Sequence, residues 1–147
     1  ARRSTLSGAA GGCQAECGAA AAMAAAAAVQ IAGGAPEQCA NAVALAFKGL
    51  LVLVCDPVAG LVEVPCIKRN ATSVAVALAA ADMALAGIRS VIPADEVIQA
   101  MGAIGRELPA SLRETALGGL AVTPTGKRIV SEINATHDKA EEPHLNS

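Results

Sequence analysis

Aromatic residues are almost absent from this chain of 147 residues, which has no tryptophan, no tyrosine and one phenylalanine, Phe47. Lysine and arginine are scattered, and the net charge is −2. Without a basic stripe or aromatic side chains to stack on bases, the sequence argues against nucleic-acid binding. The uncharged stretch 18–31 is mostly alanine and is shorter than the ~20 apolar residues of a membrane helix. We therefore expect neither a nucleic-acid partner nor a membrane span.

Alanine dominates what is present. Hydrophobic residues make up 54% of the chain, with alanine runs at 19–22 and 24–28. Alanine is the strongest helix former, and its small side chain lets helices approach closely. Glycines at 33–34 and Pro36 are typical of a helix end followed by a helix start. The sequence predicts an all-α fold, a bundle of Ala-rich helices at about 14–31, 36–48, 67–86 and 94–108.

The two ends of the chain lack helical apolar stripes. We expect a helical domain over residues 1–125, beginning with a Gly/Ser-rich loop, and a polar, disordered tail over residues 126–147. The chain starts without methionine, so we expect a fragment or a processed segment. Residues 50–54 are a short apolar run that fits either a buried strand or a helix. Residues 113–122, with two adjacent glycines, predict a short helix that turns into a loop.

Five cysteines stand in a chain that opens without a charged-then-apolar signal sequence. This combination indicates a reducing, cytoplasmic environment in which metal or redox chemistry is favoured over disulfides. Cys55 and Cys66 bracket a loop that contains Pro57, Gly60 and Pro65. A segment with that spacing of proline and glycine cannot form a regular helix, so we predict a rigid loop between these two cysteines.

Cys13 and Cys66 stand where predicted helices begin. The helix dipole and free N–H groups there lower a thiol pKa and favour an anionic cluster or a substrate carboxylate. Cys17 and Cys39 lie inside helices, where cysteine behaves as a small apolar residue, so we expect them to point into helix contacts. Spacing alone names no metal, since a Cys-x-x-Cys pair typical of zinc sites is missing. The alternative is that all five are buried small hydrophobic residues.

Three stretches of the sequence, in order and at matching intervals, carry a resemblance to a known family. Residues 7–18 resemble SGAxxGCQAEVG, residues 55–70 resemble CDPVGGLVQIPCIERN, and residues 113–122 resemble KETSxGGLAV. These are stretches of the iron–sulfur L-serine dehydratase α chain, and the resemblance runs from about Ser7 to Val122. The double-cysteine loop is the longest and most specific of the three.

The resemblance implies a [4Fe-4S] cluster held by Cys13, Cys55 and Cys66, with Cys17 and Cys39 outside the ligand set. Three ligands for four irons leave one iron open as a Lewis acid for the substrate β-hydroxyl. L-Serine would lose its α-proton and hydroxide and yield pyruvate and ammonia, without pyridoxal phosphate.

The polar residues near these cysteines give weaker signals. Arg69 and Asn70 follow the third ligand and are candidates for binding the cluster or the substrate carboxylate, or else solvated first-turn residues. Glu16 is either a base or a charge that complements the helix dipole. Asp56, before Pro57, is typical of a turn former. The sequence identifies no catalytic base.

One stretch departs from the resemblance. Residues 48–54 read KGLLVLV, whereas the family stretch reads EHNLGLT, so a histidine, an asparagine and a threonine are absent. Two alternatives to an L-serine ammonia-lyase follow: a catalytically inactive helical module of the same fold, or a related lyase for another small amino acid. The implied partners are a β chain or β domain and a small amino-acid substrate. We also expect an oligomeric enzyme of amino-acid degradation and gluconeogenesis.

Overall fold

The computed structural model describes residues 4–141, and its regular elements in that range are helices. They are α1 Gly8–Gly11, α2 Cys13–Ile31, α3 Pro36–Lys48, α4 Cys66–Leu85, α5 Ala94–Glu107 and α6 Pro124–Glu141. The all-α prediction is confirmed, and the four long predicted helices agree with α2 to α5 to within one residue at each end. None of the described helices has the length and apolar character needed to cross a membrane.

The core is built around α2, which packs against α3, α4 and α5. Its buried residues are mostly alanines, as are those that α3 and α4 turn toward it. The few larger side chains in this core include Val29, Phe47 and Met101. Gly18 lies beside the Phe47 ring, since a Cβ there would make an ordinary contact with the ring at 3.6 Å. The alanine-rich composition thus produces closely spaced helices with thin interfaces.

The short helix α1 differs from the loop expected for the first twelve residues. Its backbone touches α5, because a Cβ added at Gly105 would lie 2.9 Å from the Cα of Gly11. The N–H of Gly12 donates to the carbonyl of Gly8 at 2.8 Å, which closes the turn. Two glycines at the crossing therefore let α5 hold the segment that leads into α2.

The prediction of a disordered tail from residue 126 is wrong as far as Glu141, where the structure has helix α6. Thr123 caps this helix, because its hydroxyl oxygen accepts the N–H of Gly126 at 3.1 Å, and Pro124 suits the first helical position. The helix has a stripe of half-buried apolar residues, Ile129, Val130 and Ile133. This stripe is difficult to recognise in the sequence because most of the segment is polar. Residues 142–147 of the predicted tail lie outside the described residues, and a domain boundary at 125 stays a prediction.

Two connecting segments also differ from expectation. Residues 50–54 form a turn, neither strand nor helix, with Val52 at φ +66°. Residues 113–118 are irregular rather than helical, with Glu114 at φ +65° and Ala116 at φ +55°. They lead into a 3₁₀ turn, Gly119–Val122. Local apolar character could not predict these turns, because backbone contacts with distant residues decide them.

Candidate functional site

Four of the five cysteines meet at the N-terminal ends of α2 and α4. Cys13 opens α2, Cys17 follows one turn later, Cys66 opens α4, and Cys55 lies in the loop before it. Cys13, Cys17 and Cys55 are 1%, 4% and 3% exposed and pack together, with half-buried Cys66 against them. Cys13 is close enough to the other three thiols to raise the pKa of each of them. We call these four residues the cysteine patch.

The structure thus brings together the three cysteines that the sequence singled out as ligands. The expectation that Cys17 points away from them is wrong. Cys17 follows Cys13 by four residues, and such positions lie on one face of a helix, so both thiols face the same point. Cys39 does lie elsewhere: it packs against the main core from α3, with its thiol 4.0 Å from the Gln30 side-chain oxygen.

The position of Cys13 depends on the residue before it. Gly12 has φ +76°, and a Cβ there would lie 2.8 Å from both the Leu53 carbonyl oxygen and a Leu108 methyl group. The N–H of Gln14 donates to the same Leu53 carbonyl at 2.9 Å. Only glycine fits this approach, so α2 begins in close backbone contact with the turn that precedes Cys55.

The side chain of Gln14 ties three elements together around Cys13. It is 1% exposed, and its amide nitrogen donates to the carbonyls of Gly11 at 3.0 Å and Met101 at 3.3 Å. Its amide oxygen accepts the N–H of Val52 at 2.9 Å. Sequence reasoning assigned no role to Gln14, because its partners on α1, α5 and the turn become neighbours only in the fold.

We expect Gln14→Leu to lower the free energy of unfolding by about 1–3 kcal/mol, because a buried donor and two buried carbonyls lose their partner. Gln30→Leu is the matched control, since Gln30 lies on the same helix but is exposed. Urea unfolding followed by circular dichroism measures both variants. Equal stability of the two variants would show that the buried amide contributes nothing.

Cys55 is fixed through its backbone to the segment that begins at Leu112. Its N–H donates to the Leu112 carbonyl at 2.9 Å, and its carbonyl accepts the N–H of Glu114 at 2.7 Å. These two bonds form a single parallel bridge with Arg113. The second and third recognised stretches of the sequence are therefore adjacent at the patch.

A buried ion pair stands behind the patch. One guanidinium nitrogen of Arg69 lies 2.6 Å from a carboxylate oxygen of Asp56, donates to the Val54 carbonyl at 2.9 Å, and is 3.9 Å from the Cys13 sulfur. The second Asp56 oxygen accepts the N–H of Leu120 at 2.7 Å. The Asp56 and Arg69 side chains are 3% and 18% exposed. The pair therefore connects α4, the loop and the 3₁₀ turn, and holds a positive charge beside Cys13.

These contacts revise three expectations. Asp56 is not a local turn former, since its carboxylate accepts hydrogen bonds from Arg69 and Leu120, which lie 13 and 64 positions further along the chain. Arg69 is not a solvated first-turn residue; burial lowers its pKa, but the hydrogen bond and charge of Asp56 outweigh this and raise it above the ordinary value. Asn70 is exposed, yet its side-chain oxygen accepts the Cys17 thiol at 3.1 Å. Substrate binding by Arg69 or Asn70 stays a prediction.

The pKa of three thiols of the patch, those of Cys17, Cys55 and Cys66, is raised. Burial is the main cause that raises the pKa of Cys17 to about 11, with the neighbouring Cys13 adding to it. Burial and Cys13 likewise raise the pKa of Cys55 and, despite the opposing charge of Arg69, of Cys66. The lowered pKa expected for Cys66 at a helix start is therefore wrong, because burial outweighs the dipole. Such thiols ionise when a bound cation displaces their protons.

The donor set decides what the patch can hold. Buried thiolates are soft ligands that select zinc, copper(I) or iron–sulfur clusters. Among the side chains that the structure describes, in residues 4–137, no three Cys, His, Asp or Glu side chains are arranged around a position for a single metal ion. Several cysteine thiolates are also the ligand set of iron–sulfur clusters, so the chemistry of the patch is compatible with such a group.

Two carboxylates border the patch at α1. A Cβ added to Gly8 would lie 3.1 Å from a Glu16 carboxylate oxygen, 3.4 Å from the Cys55 sulfur and 3.7 Å from a Glu114 carboxylate oxygen. Gly8 therefore leaves open a small space that both acids and Cys55 face. Glu114 holds a left-handed backbone conformation, which is uncommon for a residue with a side chain.

A groove of about 430 Å³ runs from the patch between α2 and α4. Its patch end is formed by Cys17, Asn70 and Ser73, and alanines, Val74 and Leu78 form the remainder. The Ser73 hydroxyl oxygen is buried and has no hydrogen-bond partner within the described part of the chain. The groove thus combines apolar walls with polar groups at the end nearest the thiols.

Comparison with known proteins places the chain in a family. The model of the family described as "Serine dehydratase alpha chain" matches residues 1–121. The chain is 62% identical over 133 residues to the "Probable L-serine dehydratase, alpha chain" of Bacillus subtilis, covering 90% of this chain and 44% of the relative. A protein of the same description from Latilactobacillus sakei is 62% identical over 128 residues, covering 87% of this chain and 61% of the relative. Against "L-serine dehydratase 1" of Escherichia coli the identity is 45% over 119 residues, 80% and 26% of the two chains.

Proposed function

Because the chain belongs to the serine dehydratase alpha chain family, we propose that it is the cluster-binding part of an L-serine ammonia-lyase. The overall reaction converts L-serine to pyruvate and ammonia. The observation that carries the proposal is the convergence of Cys13, Cys55 and Cys66, which lie up to 53 residues apart in sequence, in one buried patch.

The proposed cofactor is a [4Fe-4S] cluster with Cys13, Cys55 and Cys66 as ligands. A patch that consists of thiols and is flanked by a guanidinium suits an anionic thiolate-bound cluster. When bound, such a cluster supplies a Lewis acid for the departing β-hydroxyl of the substrate.

The protein residues around the thiols have three proposed tasks. Arg69 places its positive charge 3.9 Å from the Cys13 sulfur, where it would offset part of the negative charge of a thiolate-bound cluster. Asp56 holds that guanidinium in place. Asn70, at the junction of patch and groove, is proposed to bind the substrate carboxylate through its amide group, with Arg69 contributing its charge. The burial of the patch excludes water from the reacting centre, which strengthens each of these interactions.

The chain spans 44% and 61% of the length of the two relatives that are 62% identical to it. We propose that the remaining parts of the enzyme, including a β chain or β domain, complete the substrate pocket and supply the base for the α-proton. The name "alpha chain" of these relatives supports a β partner, and we propose that the complete enzyme is oligomeric.

Anaerobic reconstitution of the chain with iron and sulfide tests this proposal. We expect bound iron and sulfide in equal amounts and a visible absorbance, but no pyruvate from L-serine, because the described residues present no positioned base. A chain that binds no iron would contradict the cluster. Robust pyruvate formation by this chain alone would contradict the proposal that the site is incomplete.

A second candidate is a helical module that keeps the fold without catalysis. Residues 48–54, which lack the three polar residues of the resembling stretch, lie next to the patch, and Leu53 packs against its thiols. Val52 holds φ +66° where that stretch has glycine, an unfavourable conformation for a β-branched residue. Joining the reconstituted chain to the missing parts of a relative distinguishes the two, since only the enzyme part would restore pyruvate formation.

A further inference from the structure

We infer that Cys17 is a fourth thiolate ligand in the cysteine patch, so that in the resting chain every iron of the cluster is bound by the protein. The inference rests on the proposed cluster and deepens it, because it assigns a ligand beyond Cys13, Cys55 and Cys66. In the stretch that the N-terminal residues resemble, the position of Cys17 is a valine, so the fourth thiol is a feature of this chain.

Helix α2 directs the Cys17 thiol into the patch. Cys13 and Cys17 are one turn apart on the same face, and both belong to the buried cluster that contains Cys55. Cys17 is 4% exposed and packs in one buried cluster with Cys13. It also lies close enough to Cys66 for their charges to interact. Cys13 and Cys66 are therefore neighbours of Cys17 within the patch.

Helix α4 fixes the thiol from the opposite side. Asn70 follows Cys66 by four residues, as Cys17 follows Cys13, and its side-chain oxygen accepts the Cys17 thiol at 3.1 Å. Two pairs of residues, one from each helix, thus face each other at the first turns of α2 and α4. A thiol that only filled space between alanines would need no such polar partner.

Ligation changes both the charge and the reactivity of the site. As each sulfur–iron bond forms, the thiol releases its proton to solvent, so Cys17 contributes a fourth proton and a fourth negative charge. Cys17 would then hold the iron that three ligands leave open and would have to release it before a substrate could bind there. The Asn70 side-chain oxygen, which accepts the Cys17 thiol at 3.1 Å, would hold that thiol after its release.

Oxidation of the reconstituted chain by ferricyanide measures this ligation without any activity assay. An iron that lacks a protein thiolate is lost on such oxidation, which leaves a three-iron cluster with its own electron paramagnetic resonance signal. We expect the unmodified chain to keep four irons, and Cys17→Val, which fills the same buried space, to fall to three. Cys39→Val is the matched control and should behave as the unmodified chain, since Cys39 lies outside the patch.

The outcomes separate the two proposals. If the unmodified chain and Cys17→Val both lose one iron, or both keep four, Cys17 is not a ligand while the cluster itself stands. If neither binds iron, the proposed cluster fails. A Cys17→Val chain that binds no cluster but keeps the helical circular dichroism of the control would also support ligation. If Cys17→Val loses the helical signal, Cys17→Ser is tested in its place. Serine keeps the size of the side chain, and this variant should also lose the fourth iron.

Discussion

Replacing Cys55 by serine is expected to abolish cluster binding by the reconstituted chain. A serine hydroxyl is nearly the same size as the thiol but is a far poorer ligand for iron at neutral pH. Cys55 is 3% exposed and its backbone is fixed by bonds to Leu112 and Glu114, so the serine hydroxyl would occupy the place of the thiol. Iron and sulfide analysis and the visible absorbance measure the loss.

The matched control for this prediction is Cys39→Ser, which changes the same chemical group on α3, away from the patch. We expect it to retain the iron of the unmodified chain. Cys13→Ser and Cys66→Ser should resemble Cys55→Ser. Full iron and sulfide content in Cys55→Ser would remove Cys55 from the ligand set and, with it, the central support for the proposed function.

Replacing Asp56 by alanine is expected to lower the free energy of unfolding by about 3 kcal/mol. The change removes a buried carboxylate that accepts hydrogen bonds from the Arg69 guanidinium and the Leu120 N–H, and it leaves the guanidinium largely buried without its counterion. Breaking a buried ion pair typically costs 3–5 kcal/mol, and the 18% exposure of the Arg69 side chain places the expected value at about the low end of that range. Urea unfolding of the iron-free chain measures the change.

Two variants make this result interpretable. Asp82→Ala removes an exposed carboxylate from α4 and should change stability by about 0.5 kcal/mol or less. Asp56→Ala combined with Arg69→Met should cost less than the sum of the single changes, because the second substitution removes the unpaired charge left by the first. Strict additivity, or an Asp56→Ala effect no larger than that of Asp82→Ala, would show that the two side chains do not interact.

Most helix boundaries could be predicted because the signals are local. Pro36 begins α3, and Gly33, at φ +82°, follows the end of α2. Helix α6 was missed because its three half-buried apolar residues are few in a polar segment, and its packing partners lie in turns that sequence patterns did not define. The same limit applies to residues 50–54, since their turn depends on hydrogen bonds from Gln14 and not on their own apolar side chains.

By itself, the sequence determined an all-α chain with close-packed alanine interfaces, and it singled out Cys13, Cys55 and Cys66 through motifs whose order and spacing are fixed along the chain. Only the tertiary structure decided that Cys17 joins them and that Asp56 and Arg69 pair behind them. A thiol inside a helix looks apolar in sequence, and its role depends on which face of the helix meets which neighbour. The neighbours of Cys17 are decided when α2 packs against α4, because this packing brings together residues that are far apart in the sequence.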